Sequence, residues 1–312
     1  MTAAAWMKKT LRLTLAFAAL FLFLSHWTML AEKADALKRR IASIDLKTGS
    51  VPAPRLQGEA AYLLDERTGA MLYGKNIHER LYPASTTKIL TALVAIEKGN
   101  PDDVVTVGDE VRLREPDESS AGLVEGEQIK LRDLLAALLL PSGNDAARTV
   151  ARYIATIETG KNVSAEEGIR YFAGLMNEKA RSLGATESHF VNPHGLQDPD
   201  HYTTARDLAL IARAGRSNPM LRQIVAETAH TVRTPQVTQT YVNRNQLLNR
   251  SSEFYDKSAS GMKTGFTNEA GYCLVASATR GGRSLIAVVL HSSENGVWND
   301  AERLLEYGFA ST

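Results

Sequence analysis

Two apolar runs near the C-terminus, 272–278 and 284–290, flank a short segment holding Gly281-Gly282, the pattern of a tight antiparallel hairpin. A second pair of short strands, 60–64 and 71–73, surrounds the turn residues Arg67-Thr68-Gly69 at the other end of the chain. Helical signals fill the interval between them. Pro83 opens a helix carrying Ile89, Leu90, Leu93, Val94 and Ile96, and Gly99 stops it. Residues 131–140 form a strongly apolar helix broken by Pro141. Further helices are expected at 144–157, 166–183, 204–214 and 298–307. The Val-, Thr-, Gln- and Asn-rich stretch 223–248 reads as short strands and turns. Strands at both ends with helices between them imply an α+β class, in which an antiparallel sheet built from N- and C-terminal segments is flanked by helices and carries a helical subdomain.

The N-terminus is organised differently. Lys8, Lys9 and Arg12 precede the uncharged run 13–24, the layout of an export signal, and Ala34-Asp35-Ala36 offers a small-x-small cleavage site. Trp27, Met29 and Leu30 extend the run to roughly 18 residues, near the length of a membrane span, so a cleaved signal and a retained anchor are both open. Either places the rest of the chain outside the cytoplasm, because the positive flank stays inside. The expected organisation is therefore a signal peptide or anchor at 1–36, a polar linker at 37–58 containing Lys38-Arg39-Arg40, Gly49, Pro52, Pro54 and Gly58, and one catalytic domain at 59–312. Membrane attachment would come only through the N-terminal segment. A net charge of +1 over 312 residues gives no electrostatic footprint for nucleic acid. The one cysteine, Cys273, cannot form an intramolecular disulfide, and its place in an apolar strand reads as core rather than nucleophile.

Three polar motifs interrupt this framework. In Pro83-Ala84-Ser85-Thr86-Thr87-Lys88 the proline places Ser85 in the first turn of a helix and Lys88 on the same face. A serine hydroxyl needs a base to become a nucleophile, and a lysine whose pKa is lowered by burial or a neighbouring cation can be that base. Ser142-Gly143-Asn144 follows Pro141 at a short corner between two helices. Lys263-Thr264-Gly265 precedes the C-terminal hairpin, on or near a sheet edge where an extended peptide can pair, and Gly265 would allow a substrate to approach the backbone closely. Each motif has a decoy: Ser260 and Lys263 share the Ser-x-x-Lys spacing, Ser293-Glu294-Asn295 imitates the second motif, and Lys47-Thr48-Gly49 the third. Order and context separate them, since Lys47 lies in the linker and Ser293 in a turn after the last strand.

The ordered set Ser-x-x-Lys, Ser-Gly-Asn, Lys-Thr-Gly resembles that of penicillin-recognising serine DD-peptidases, and most closely the low-molecular-mass D-Ala-D-Ala carboxypeptidases. Stretches 82–88, 141–146, 243–248 and 261–267, with Asn192-Pro193-His194-Gly195-Leu196 and Tyr202-Thr203-Thr204-Ala205-Arg206-Asp207, carry the likeness over most of residues 58–309. The resemblance implies a DD-peptidase/β-lactamase-like fold and removal of the terminal D-alanine from peptidoglycan pentapeptide stems, with β-lactams as covalent inhibitors and no metal or organic cofactor. It implies Ser85 as nucleophile, Lys88 as base helped by the charge of Lys263, and Ser142 as proton relay to the leaving D-alanine. Asn144 would hold the substrate amide, Thr264 with Lys263 the terminal carboxylate, and the N–H groups of Ser85 and Phe266 the oxyanion. Where some family members have a carboxylate-binding arginine, this chain has Trp298; Arg280, Arg283 and Arg303 are possible substitutes that read individually as surface charges. The small C-terminal β domain and membrane helix of longer relatives have no counterpart before Thr312.

Other polar residues read as structural. His189, His194 and His201 lack helical His-x-x-x-His spacing, and the resemblance gives His194 a loop position. Glu166 and Glu167 suit the first turn of a helix capped by Ser164, with Phe172, Leu175 and Met176 as its core stripe. Asp117-Glu118-Ser119-Ser120 reads as a loop near the cleft and receives no role. A β-lactamase or esterase using Ser85 and Lys88, and a non-catalytic cell-wall binding module, are the rival readings.

Overall fold

Leu285 to Leu290 are all buried, a continuous apolar run of the kind found in strands covered on both faces. In the computed structural model, which describes residues 51–311 except Pro235, this run lies in the central strand of a five-stranded antiparallel sheet. The strands are β1 (Ala60–Asp65), β2 (Met71–Lys75), β7 (Ala259–Thr267), β8 (Gly271–Arg280) and β9 (Arg283–Ser292), arranged in the order β2-β1-β9-β8-β7. The N- and C-terminal segments therefore do join one sheet: Ala60 pairs with Leu290 and Asp65 with Leu285. The Gly281-Gly282 hairpin closes β8 onto β9 with both glycines at positive φ, as a two-residue turn of this type requires.

Side-chain alternation divides the sheet between two cores. Ala61 and Leu63, with Leu274, Ala276, Leu285, Ala287 and Val289, pack beneath the C-terminal helix Gly296–Ala310 through Ala301, Leu304 and Leu305. Tyr62, Leu64, Val275, Ile286 and Val288 point the other way into a larger helical core. That core is made by α1 (Lys88–Lys98), α2 (Leu131–Leu139), α3 (Asn144–Thr159), α4 (Ala165–Ser182) and α5 (Ala205–Ser217). In α2 every residue from Leu134 to Leu139 is buried, the mark of a helix at the centre of the subdomain. Ser164 and Glu167 form the expected capping box at the start of α4, while Phe172 and Met176 are fully buried below it.

The stretch 223–248 departs from expectation. It begins inside a helix, α6 (Pro219–Ala226), before β5 (Ala229–Arg233) and β6 (Thr238–Val242) pair as a ribbon. Asn218 caps α6 by accepting from the N–H groups of Met220 and Leu221, and Pro219 fills its first turn, so the start signal lies just upstream of the β-rich composition. A second ribbon, β3 (Val104–Thr106) with β4 (Gln128–Lys130), has three residues per strand and buries only the middle one of each, Val105 and Ile129. Residues 53–310 form one compact unit; in the last part of the proposed linker, Lys75 donates to the carbonyls of Leu56 and Gly58. The signal or anchor at 1–36 and most of the linker lie outside the described residues. Among the described residues no helix is long and apolar enough to cross a membrane.

Candidate active site

Pro83 is followed by a 3-10 turn, Ala84–Thr87, that runs directly into α1 at Lys88. Ala84 is held at φ 46, a left-handed conformation unusual for a residue with a Cβ. Two neighbours hold it there. Gly195, itself at φ 85, packs so tightly that a Cβ would come within 2 Å of the Ala84 carbonyl oxygen (1.9 Å). His201 accepts from the Val191 N–H at Nδ1, which puts its proton on Nε2, 2.9 Å from Thr87 Oγ1, and the Thr87 hydroxyl donates in turn to Ala84 O. Burial lowers the His201 pKa to about 3, so this link is a neutral ring. The three histidines thus serve structure: His189 Nδ1 contacts Asp200 O and His194 Nδ1 accepts from the Leu196 N–H.

Lys88 is the centre of the arrangement. Its Nζ is buried and lies 2.8 Å from Ser85 Oγ, 2.7 Å from Asn144 Oδ1 and 2.7 Å from His194 O. Burial, followed by the positive charge of Lys263, holds its pKa well below that of an ordinary lysine. A neutral amine has two N–H donors and one lone pair. When the amine is neutral, the two carbonyl-type oxygens can take only the donors, which leaves the lone pair for the Ser85 hydroxyl proton; Ser85 Oγ also lies 3.4 Å from His194 O. Lys263 is also buried, and burial with the nearby Arg244 charge lowers its pKa to about 7. Its Nζ donates to the backbone oxygen of Thr264 at 2.9 Å.

Ser142 sits at the corner between α2 and α3 with φ 69, again left-handed for a residue with a Cβ. Its Oγ is buried and has no hydrogen-bond partner within the protein. A buried hydroxyl without a protein partner keeps both its donor and its acceptor capacity free toward the cleft that Ser142 lines. Asn144, at the first position of α3, is fixed at both ends of its amide: Oδ1 accepts from Lys88, and Nδ2 donates to Glu118 at 3.3 Å.

β7 forms the opposite wall as an edge strand, as expected for Lys263-Thr264-Gly265. Gly265 lines the cleft and also has a second neighbour in the nucleophile turn. A Cβ there would lie 2.9 Å from Pro83 O and 3.1 Å from both Ala84 Cβ and Ser85 N. Its missing Cβ thus also permits the close approach of the nucleophile turn, which brings the Ser85 N–H beside the strand that carries Phe266. Ser85, Ser142, Asn144, Thr264, Gly265 and Phe266 line one cleft of about 540 Å³, with Lys88 and Lys263 buried behind its walls. Cys273 also borders it, but burial raises its thiol to about 12, which makes it a poor nucleophile.

Two features were missed by sequence reasoning. Glu118, to which no role was given, makes a two-pronged ion pair with Arg148 at 2.6 Å for each contact, with side chains 1% and 3% exposed. Arg148 lies one helical turn after Asn144, so the pair fixes the loop 117–120 against the site; Asp145 adds to this by accepting from Ser120 Oγ and from three successive N–H groups, Ala121 to Leu123. Arg148→Met should destabilise the fold by about 3–5 kcal/mol, because it leaves a buried carboxylate unpaired, whereas the double change with Glu118→Gln should restore much of the loss. Urea unfolding of the three variants measures both effects. The second feature is Arg244, which lines the cleft and donates to Ser119 Oγ at 2.7 Å. It lies in the 243–248 stretch already singled out by the resemblance, and that was its signal. Trp298 is buried in the cleft wall and stacks on Phe254, while Arg280, Arg283 and Arg303 are engaged elsewhere, with Asp256 and Glu306, with Asp65, and with Arg55 O respectively.

Comparison with known proteins finds similarity to D-alanyl-D-alanine carboxypeptidases. The family model described as D-alanyl-D-alanine carboxypeptidase matches residues 47–294. The D-alanyl-D-alanine carboxypeptidase of Streptomyces sp. (strain K15) is 35% identical over 84% of this chain and 90% of the relative. D-alanyl-D-alanine carboxypeptidase DacB2 of Mycobacterium tuberculosis is 35% identical over 84% and 86% respectively. The crystal structure of the Streptomyces K15 DD-transpeptidase superposes with a TM-score of 0.74 at 35% identity, covering 83% of this chain and all of that one (100%).

Proposed function

The chain belongs to the D-alanyl-D-alanine carboxypeptidase family, and on that premise we propose that it is an exported serine peptidase that removes the terminal D-alanine from peptidoglycan stem peptides through an acyl-enzyme on Ser85. The observation that carries this reading is the Lys88 Nζ, whose two donors are occupied by Asn144 Oδ1 and His194 O and whose remaining valence faces Ser85 Oγ. In this reading the neutral amine takes the Ser85 proton as Oγ bonds to the carbonyl carbon. The N–H groups of Ser85 and Phe266 stabilise the negative oxygen that forms. As the C–N bond breaks, the proton that Lys88 took from Ser85 passes through the Ser142 hydroxyl, which has no protein partner, to the departing amine, leaving Lys88 neutral and Ser142 unchanged. Asn144 Nδ2 retains a donor for the substrate amide. Thr264 and Lys263 meet the terminal carboxylate, with Arg244, the one arginine lining the cleft among the described residues, supplying charge where Trp298 has none. Water then cleaves the acyl-enzyme. Export and any membrane attachment rest on the charge and apolar pattern of residues 8–30.

The test is mass spectrometry of the protein after exposure to a penicillin, together with D-alanine release from a diacyl-L-Lys-D-Ala-D-Ala peptide. A stable adduct equal in mass to the penicillin and measurable D-alanine are expected. Rapid turnover of the penicillin would instead favour a β-lactamase, and the absence of both adduct and D-alanine would overturn the reading. The same spectrum reads the mature N-terminus and so tests cleavage after Ala36.

A further inference from the structure

At the end of the sheet remote from the cleft, a second cavity of about 680 Å³ opens between the β1–β2 turn, the tip of the β8–β9 hairpin and the end of α5. Tyr272 at the start of β8 borders the cleft, and Gly281 just past its end borders this cavity, so the length of a ten-residue strand, about 30 Å, separates the two. The charge here is one-sided. Arg67, Arg213, Arg216, Arg222 and Arg283 line the cavity against only two carboxylates, Asp65 and Glu66. Asp65 is taken by Arg283 at 3.0 Å and Glu66 by Arg216 at 3.1 Å. Arg213 is held in place by two neutral acceptors, the backbone oxygens of Glu66 and Arg67. Arg67 and Arg222 are exposed at the rim. Among the described residues three guanidinium charges are therefore left without a carboxylate in one concavity, on a chain whose net charge is only +1. Like charges repel, and the arrangement is more stable with an anion between them. Gly281 and Gly282 have open space where a Cβ would stand, so no side chain screens this side of the cavity.

We propose that this cavity is a second binding site, for oligo-anions carrying phosphate groups. The planar, permanently charged guanidinium matches phosphate oxygens with paired hydrogen bonds, and the volume admits more than one phosphate group. The site would hold the enzyme against a phosphate-rich surface while the cleft stays free, and it does not depend on the chemistry at Ser85.

The experiment is a titration of the full-length chain with tripolyphosphate by calorimetry at low ionic strength. Saturable binding is expected, weakened at least tenfold in the Arg67→Ala/Arg222→Ala double variant and unchanged in Arg181→Ala, an exposed arginine on α4. A parallel titration with dihexanoyl phosphatidylglycerol below its micelle concentration separates the sources: lipid bound as tightly as tripolyphosphate assigns a headgroup, and tripolyphosphate alone assigns a soluble phosphate polymer. Unchanged thermal unfolding shows that the double variant is folded, and Arg67→Ala alone, on an exposed turn, gives an independent reading if it is not. Absence of saturable binding to both probes, or an equal loss in Arg181→Ala, overturns the proposal.

Discussion

Ser85→Ala is expected to abolish the penicillin adduct and to reduce D-alanine release by about 10⁴-fold or more, because Ser85 is the cleft hydroxyl held against the buried Lys88 amine, at 2.8 Å. Ser260→Ala is the informative control. Ser260 and Lys263 repeat the Ser-x-x-Lys spacing in sequence, but they do not meet: Ser260 Oγ contacts Ser277 Oγ at 3.0 Å, while the Lys263 amine turns to Thr264. On a helix a spacing of three brings two side chains to one face, and on a strand it does not. The Ser260 variant should therefore keep its adduct. Intact-mass spectra of the two variants after the same exposure distinguish the sites, and an adduct that survives Ser85→Ala would place the nucleophile elsewhere.

The same contrast explains what could be read in the sequence. Ser85, Ser142 and Lys263 announce themselves through local context: a proline before a helix, a corner after Pro141, a glycine-flanked strand before a hairpin. The sheet is legible for a related reason, since 284–290 is apolar without interruption after its first residue and the hairpin joining it to 272–278 is closed by two glycines. Long-range partners leave no such mark. Glu118 and Arg148 are 30 positions apart, and only the folded chain shows that they bury each other. Gly195 shows no sign in the sequence of the Ala84 oxygen packed against it, and Gly265 none of its contact with Pro83 and Ser85. Helix α6 was obscured because its short apolar face merges into a β-rich composition, although Asn218-Pro219 marks its start. The motif residues were thus legible, and the groups that hold them in position were not.

Lys88→Ala tests the most specific chemical step. At low pH the Lys88 amine is protonated and its lone pair is unavailable, so acylation by penicillin should rise with pH as that proton is lost, well below the range of an ordinary lysine. At higher pH Lys263 loses its charge through a pKa of about 7, which removes the cation buried behind the cleft wall at Thr264 that favours the substrate carboxylate, so the rate should fall again. The wild-type profile is then a bell whose acid limb belongs to Lys88 and whose alkaline limb belongs to Lys263, provided the two are treated as neighbours that influence each other. In Lys88→Ala the acylation rate should drop by about 10²–10⁴-fold, the usual worth of a positioned base, and the acid limb should disappear while the alkaline limb remains. Loss of the lysine also frees Asn144 Oδ1 and His194 O, so thermal unfolding must be followed alongside. The loss of rate at unchanged fold, with one limb removed and the other kept, is a result that a purely structural Lys88 would not give. An acid limb that persists in the variant would assign the base to a different group and break the link between the buried amine and Ser85.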